Sequence, residues 1–153
     1  MNKIPQTRLE RKFFFLNLAV MYRLRATCLR NQVGCILVHK NRLVSAGYNS
    51  SPPGLDHCID SGCIIRDDHC IRTAHAEIAA LMHLEHSYEE LTAYITTQPC
   101  LNCLRQLIMA NVKEIYYIQS YPSVDRDKLA IEAGIIINKV SWPKRNKQLI
   151  QLI

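Results

Sequence analysis

The sequence has no apolar run of the roughly 20 residues that a membrane-spanning helix needs. Its apolar stretch at residues 13–22 reaches half that length and is followed at once by Arg23 and Arg25. Lys3, Arg8, Arg11 and Lys12 precede the stretch as they would in a secretory signal, yet no Ala-x-Ala-like cleavage site follows it. The stretch therefore reads as a buried amphipathic helix, and the chain as a cytoplasmic protein with no membrane partner. Repeats, low-complexity segments and linkers are missing too. With 153 residues, 48% of them hydrophobic, the chain can bury one core and is too short for two ordinary domains, so a single domain over 1–153 is expected. There is no basic block either. The surplus of 19 Lys and Arg over 13 Asp and Glu, a formal charge of +6, is spread along the chain. It favours an anionic partner without choosing between nucleic acid and free nucleotides. Without an export signal, the seven cysteines are expected to stay reduced and to serve in metal ligation or core packing rather than disulfides.

What is present alternates between two periods. Residues 9–30 carry a helical stripe of Phe13, Leu16, Val20 and Leu24, and residues 33–39 and 43–48 read as strands separated by Lys40, Asn41 and Arg42. Residues 49–73 lose periodicity and collect Pro52, Pro53, Gly54 and Gly62, a connection too long to lack a purpose. Beyond it, residues 74–86, 101–110 and 125–133 read as helices, and 93–97, 114–119 and 135–140 as strands. That alternation predicts an α/β layered fold. The tail, 141–153, ends in Leu149, Ile150, Leu152 and Ile153 and is expected to dock on a neighbour.

Two short motifs carry the chemistry. His75-Ala76-Glu77 opens one predicted helix, and Pro99-Cys100-Leu101-Asn102-Cys103 opens another directly after a strand. Three protein ligands with an open fourth position mark a catalytic zinc site, and two thiolates with one imidazole suit this borderline-soft ion. Helix N-termini favour thiolates at Cys100 and Cys103, and proline tolerates the helix start at position 99. Water bound to such an ion has a pKa of roughly 7, and Glu77 can reach it without occupying the metal. Glu77 is thus the expected proton carrier, moving a proton from water to N3 of cytosine as C4 is attacked and then assisting the departure of ammonia. His-x-Glu with Pro-Cys-x-x-Cys is the signature of zinc deaminases. A redox pair or a closed zinc site would explain the Cys-x-x-Cys alone, but not both halves in this order.

With these motifs placed, the sequence resembles the deoxycytidylate (dCMP) deaminase family, in particular its bacterial late-competence-operon form, over residues 10–140. The resemblance rests on Val33-Gly34-Cys35, Gly47-Tyr48-Asn49 with Pro53-Gly54, His75-Ala76-Glu77, Gln98 to Cys103, Tyr121, and Ala133-Gly134-Ile135. It implies a three-layer α/β/α cytidine-deaminase-like fold with a mixed five-stranded sheet, and hydrolysis of dCMP to dUMP for thymidylate synthesis. It also implies homo-oligomers, often hexamers, and regulation by dCTP as activator and dTTP as inhibitor, with Mg2+ accompanying a bound effector. Asn49 matches a family position at the nucleotide sites and Tyr121 a tyrosine near the phosphate. Arg25 and Arg30, which lead into the strand at Val33, are cationic candidates for the same phosphate, or else solvated residues of a helix end. The chain departs from the pattern at Ser50, where many relatives have glycine, and at Cys35, where they have alanine.

Five cysteines remain, and Cys58, Cys63 and Cys70 crowd the long connection. A metal would offset the ordering entropy of a loop that buries little apolar area, so a second, structural zinc is expected there. The resemblance points to Cys28 as its fourth ligand, with His57 and His69 as alternatives. Cys35 reads as a small core residue, His83 and His86 as boundary histidines, and Phe13, Phe14 and Phe15 as core or interface. The competing functions are a tRNA adenosine deaminase, which shares the zinc motif but lacks such a cysteine-rich insertion, and a non-catalytic nucleotide-binding accessory protein. A polymeric nucleic-acid partner is not expected.

Overall fold

A computed structural model describes residues 8–141 of the chain. Lys3, Lys144, Arg145, Lys147 and the apolar end of the tail lie outside the described residues.

Helix α1 (Arg11–Arg23) buries Phe13, Phe15, Leu16, Ala19 and Val20. It is shorter than the stripe at residues 9–30. Its last turn unwinds into i to i+3 bonds, such as Arg25 N–H to Tyr22 O, and Thr27 N–H then donates to the Asn49 carbonyl rather than to the helix. Leu24, the last residue of the stripe, is exposed. The phenylalanine run divides as helical geometry requires: Phe13 and Phe15 are buried, while Phe14 is half-exposed with its ring edge against Phe15.

Strands β1 (Gly34–His39) and β2 (Arg42–Tyr48) form the expected hairpin. Its two-residue turn places both Lys40 and Asn41 at positive φ, 46° and 63°, the mirror-image turn that matches strand twist. The chain then makes its long excursion and returns as α3 (Ala76–Met82), β5 (Leu91–Thr97), α4 (Leu101–Met109), β6 (Val112–Gln119), α5 (Val124–Glu132) and β7 (Ile136–Lys139). The sheet order is β2-β1-β5-β6-β7. The β2-β1 and β1-β5 pairs are antiparallel, and the β5-β6 and β6-β7 pairs parallel. Two-residue periodicity sorts the core: Cys35, Leu37, Ala93, Ile95 and Ile115 face α3 and α4, whereas Ile36, Val38 and Tyr94 face α1. This is the three-layer α/β/α arrangement with a mixed five-stranded sheet.

The excursion is more ordered than its aperiodic sequence implied. It holds α2 (Cys58–Ser61) and a small hairpin of β3 (Ile65–Arg66) and β4 (His69–Cys70), turned by Asp67 and Asp68 at positive φ. Its two ends are tied by an Ala74 N–H bond to Ser50 O at 2.9 Å.

Two glycines let helices touch the sheet. A Cβ on Gly34 would lie 1.9 Å from the Ala19 carbonyl oxygen of α1, and one on Gly47 would lie 2.4 Å from Ala80 N and 2.5 Å from Ala76 O of α3. The Gly47 contact fixes α3, and with it residues 75 and 77, against β2. Because the obstruction is backbone, a side chain there moves a helix rather than a rotamer. Gly47→Ala is expected to destabilise the protein by about 3 kcal/mol in urea unfolding, the upper end for overpacking.

Candidate active site and metal centres

His75 is the residue before the first turn of α3, with φ −73° and ψ 154°, and Cys100 stands at the same position of α4, with φ −71° and ψ 168°. Both are in extended backbone, so their side chains project forward from the helix ends instead of along the cylinders. The two helices pack side by side, and the donor atoms of His75, Cys100 and Cys103 all fall within 4.8 Å of one another. His75 Nδ1 lies 3.2 Å from Cys103 Sγ and 3.6 Å from Cys100 Sγ. Zinc bond lengths near 2.3 Å to sulfur and 2.0–2.1 Å to nitrogen place tetrahedral ligand atoms ~3.5–3.8 Å apart. The cluster therefore fits a zinc ion, with Nδ1 as the imidazole donor.

The electrostatics agree with the donor chemistry. Cys100 is held down to about 3, first by the hydrogen bond from the Cys103 side chain and, against the opposing effect of burial, by His75 and the Cys103 backbone N–H. Cys103 is pushed well up by the same shared proton and by burial. The Cys100 hydrogen bond raises His75. An ion bound to both sulfurs would displace the Cys103 proton, the usual coupling of zinc binding to thiol ionisation. Glu77, in the first turn of α3 and 4% exposed, is raised by desolvation, a direction suited to a group that must carry a proton.

His75, Glu77 and Cys100 line a cavity of about 840 Å³. Of the residues expected at the substrate, Asn49, Tyr121 and Arg30 line it, whereas Arg25 is exposed and not on its wall. The Asn49 side chain is largely committed to the backbone. Its Oδ1 accepts from Val33 N–H at 2.7 Å and its Nδ2 donates to Asn31 O at 2.6 Å, so it shapes the 31–33 wall as well as facing the cavity. Arg30 is engaged by the β3-β4 turn, donating to the Asp68 carbonyl at 2.5 Å and pairing with its carboxylate at 3.1 Å.

Cys58, Cys63 and Cys70 form a second cluster, their sulfurs within 4.8 Å of one another and the Cys58 and Cys70 Sγ atoms 3.6 Å apart. Burial, with the hydrogen bonds to Cys63 and Cys70, pushes Cys58 up to about 12. Cys70 feels burial in the same sense, but the Arg72 backbone and the Cys58 thiol outweigh it and bring it to about 6. This alternation of thiol and thiolate is what crowded sulfurs adopt when protons are shared among them. Cys28 is buried and lines the large cavity beside Cys70, but is not among the three gathered sulfurs. His57 Nδ1 contacts Thr27 Oγ1 at 3.2 Å, next to Cys28, and His69 lines the cavity from β4.

Sequence reasoning passed over Arg126 and gave Gln98 no role of its own beyond its place in the motif. The carbonyl oxygen of the Gln98 side chain accepts from Tyr121 N–H at 3.2 Å on the cavity wall, and Arg126 is 1% exposed. No local pattern separates an inward arginine from a solvated one in the first turn of a polar helix.

A family model, the cytidine and deoxycytidylate deaminase zinc-binding region, matches residues 9–119. ComE operon protein 2 of Bacillus subtilis is 34% identical over 131 residues, covering 83% of this chain and 69% of that protein. The deoxycytidylate deaminase of Saccharomyces cerevisiae is 30% identical over 138 residues, covering 84% of this chain but only 44% of the yeast protein. Among solved structures, the dCMP deaminase of cyanophage S-TIM5, crystallised with dCMP and dUMP, superposes with a TM-score of 0.76 at 25% identity, covering 88% of this chain and all of that one. A tRNA:A34 deaminase shares the fold at a TM-score of 0.60 and 19% identity. The model's span includes the β1-β2 hairpin, His75 and Glu77, and Cys100 and Cys103, so on both sequence and architecture the chain belongs to the cytidine and deoxycytidylate deaminase family.

Proposed function

We propose that the chain hydrolyses dCMP to dUMP and ammonia. The observation that carries the reading is the meeting of His75 Nδ1 and the Cys100 and Cys103 sulfurs beside the buried Glu77 carboxyl, on the wall of a cavity of about 840 Å³. The choice of a pyrimidine deoxynucleotide is supported by the deoxycytidylate deaminases among the relatives and by the dCMP and dUMP in the phage structure.

His75, Cys100 and Cys103 would hold zinc, which supplies an acidified water at neutral pH. Glu77 does the proton work. It takes one proton from the attacking water and delivers it to N3 as the oxygen bonds to C4. It then carries the second proton of that oxygen to the exocyclic amine, so that the C4–N bond breaks and ammonia leaves. The carboxylate ends as it began, and the ring has gained a carbonyl. Arg30 is suited to the substrate phosphate through charge-assisted hydrogen bonds, exchanging its Asp68 partner for the ligand. Tyr121 faces the same space.

The proposal extends to a structural zinc held by Cys58, Cys63 and Cys70 with a fourth ligand from Cys28, His57 or His69, pinning the excursion beside the cavity. It also includes homo-oligomers and dCTP activation and dTTP inhibition with Mg2+, which rest on the resemblance, and a cytoplasmic setting, which rests on the reading of residues 13–22 as a buried helix. No described helix is long and apolar enough to cross a membrane.

Ammonia release from dCMP, CMP, cytidine and an adenosine-containing tRNA hairpin, each followed with and without dCTP, tests the substrate. Turnover of dCMP is the expected result, and activity confined to the hairpin would reject the proposal. Glu77→Gln is expected to lower kcat on dCMP by about 10²- to 10⁴-fold while zinc content holds, because general acid–base transfer is lost and the ligands are not. Elemental analysis of the unmodified protein is expected to give two zinc ions per chain, falling to one in Cys63→Ser with the catalytic ion retained. One ion per fully active chain would remove the second site.

A further inference from the structure

Apart from Glu77, Arg126 is the only charged side chain among the described residues that is almost wholly buried, at 1% exposure. The position is doubly unfavourable. A guanidinium loses its hydration there, and it sits in the first turn of α5, at the helix end that favours negative charge. What offsets this is that each of its three nitrogens finds an acceptor. Nε and Nη2 donate to Asp127 Oδ1 at 2.9 and 2.8 Å, while Nη1 donates to the Pro99 carbonyl at 3.2 Å and to the Tyr121 carbonyl.

Those two carbonyls are the informative partners. The Pro99 carbonyl belongs to the peptide that joins directly to Cys100, and the Tyr121 carbonyl belongs to the wall of the cavity. The same two stretches are stitched from the other side, where Tyr121 N–H donates to Gln98 Oε1 at 3.2 Å and Gln98 N–H to Gln119 O at 2.8 Å. The Tyr121 residue is therefore held through both its N–H and its carbonyl to the two residues ahead of Cys100. Only a planar fork of donors can reach two carbonyls and a carboxylate at once; an ammonium is a compact point charge on a flexible stem.

We infer that Arg126 is a positioning residue that keeps the Tyr121 wall in register with the Cys100 ligand, and so sets how firmly the nucleotide is held against the reacting centre. It touches neither the cavity nor the metal-ligand cluster itself, since it is absent from the residues lining the one and forming the other. The inference rests on the proposed nucleotide deaminase activity for its kinetic consequence, though not for its structural one.

The test compares wild type with Arg126→Lys and, in case that variant does not fold, Asp127→Ala, whose replaced carboxylate is 56% exposed. Four quantities are measured: KM and kcat for dCMP, zinc content, and backbone hydrogen exchange. In both variants KM is expected to rise, by about tenfold in Arg126→Lys, with kcat changed less than about threefold and zinc retained, because ground-state placement is lost while the proton carrier and ligands stay. Exchange at residues 120–124 should quicken while β5 keeps its protection. Unchanged KM and exchange would overturn the inference, and so would a joint loss of kcat and zinc, which would make Arg126 a mere support of the metal centre. If wild type does not turn over dCMP, the proposed function falls by itself, and exchange at residues 120–124 alone then decides the role of Arg126.

Discussion

His75 and Cys100 each end an extended segment and begin a helix, and their donor atoms meet 3.6 Å apart. This contact between two helix starts is the constraint on which the rest of the site depends. It requires α3 and α4 to lie side by side on one face of the sheet, which follows from α3 packing on β2 and β1 while α4 leaves β5, the strand paired with β1. It also requires α3 to press against β2 at backbone distance, which Gly47 permits. The positive ends of both helices then converge where thiolate and carboxylate charge must be stabilised.

Buried charge is confined to where the chemistry or its support needs it. Glu77 is desolvated beside the His75, Cys100 and Cys103 cluster, and Arg126 is desolvated behind the Pro99 and Tyr121 backbone, each of its three nitrogens donating to an acceptor. Asn49 works in a comparable way on the opposite wall, spending its amide on the 31 and 33 backbone. Such satisfied polar groups cost little once formed and much when one partner is removed, which makes them stiff supports for a site that has to hold its geometry.

The cysteine-rich excursion shows how a segment without a hydrophobic face can still be organised. Its ends are pinned by the Ser50 and Ala74 bridge, its tip hairpin is latched to Arg30 through Asp68, and its three sulfurs are gathered at one point. The excursion reaches the cavity through Asp68, His69, Cys70 and Thr73, so that whatever orders the sulfurs also shapes the cavity wall.

Much of this was legible in the chain. Alternation of helical and strand periods gave the layers, because burial on one face repeats every 3.6 or every two residues regardless of context. The pairs His75-x-Glu77 and Cys100-x-x-Cys103 marked their own helix starts, since proline and N-terminal geometry are local properties. The short hairpin and turns inside residues 49–74 were not legible: two-residue strands leave no period to read. Nor was the separation of Arg30, on the cavity wall, from Arg25, outside it, or the inward turn of Arg126. By itself, then, the sequence determined which residues stand at the starts of α3 and α4, with His75, Cys100 and Cys103 as candidate ligands and Glu77 as the candidate proton carrier. The tertiary structure alone decided which cations and amides face them, because that depends on contacts between segments such as 98–99, 121 and 126, which no local pattern encodes.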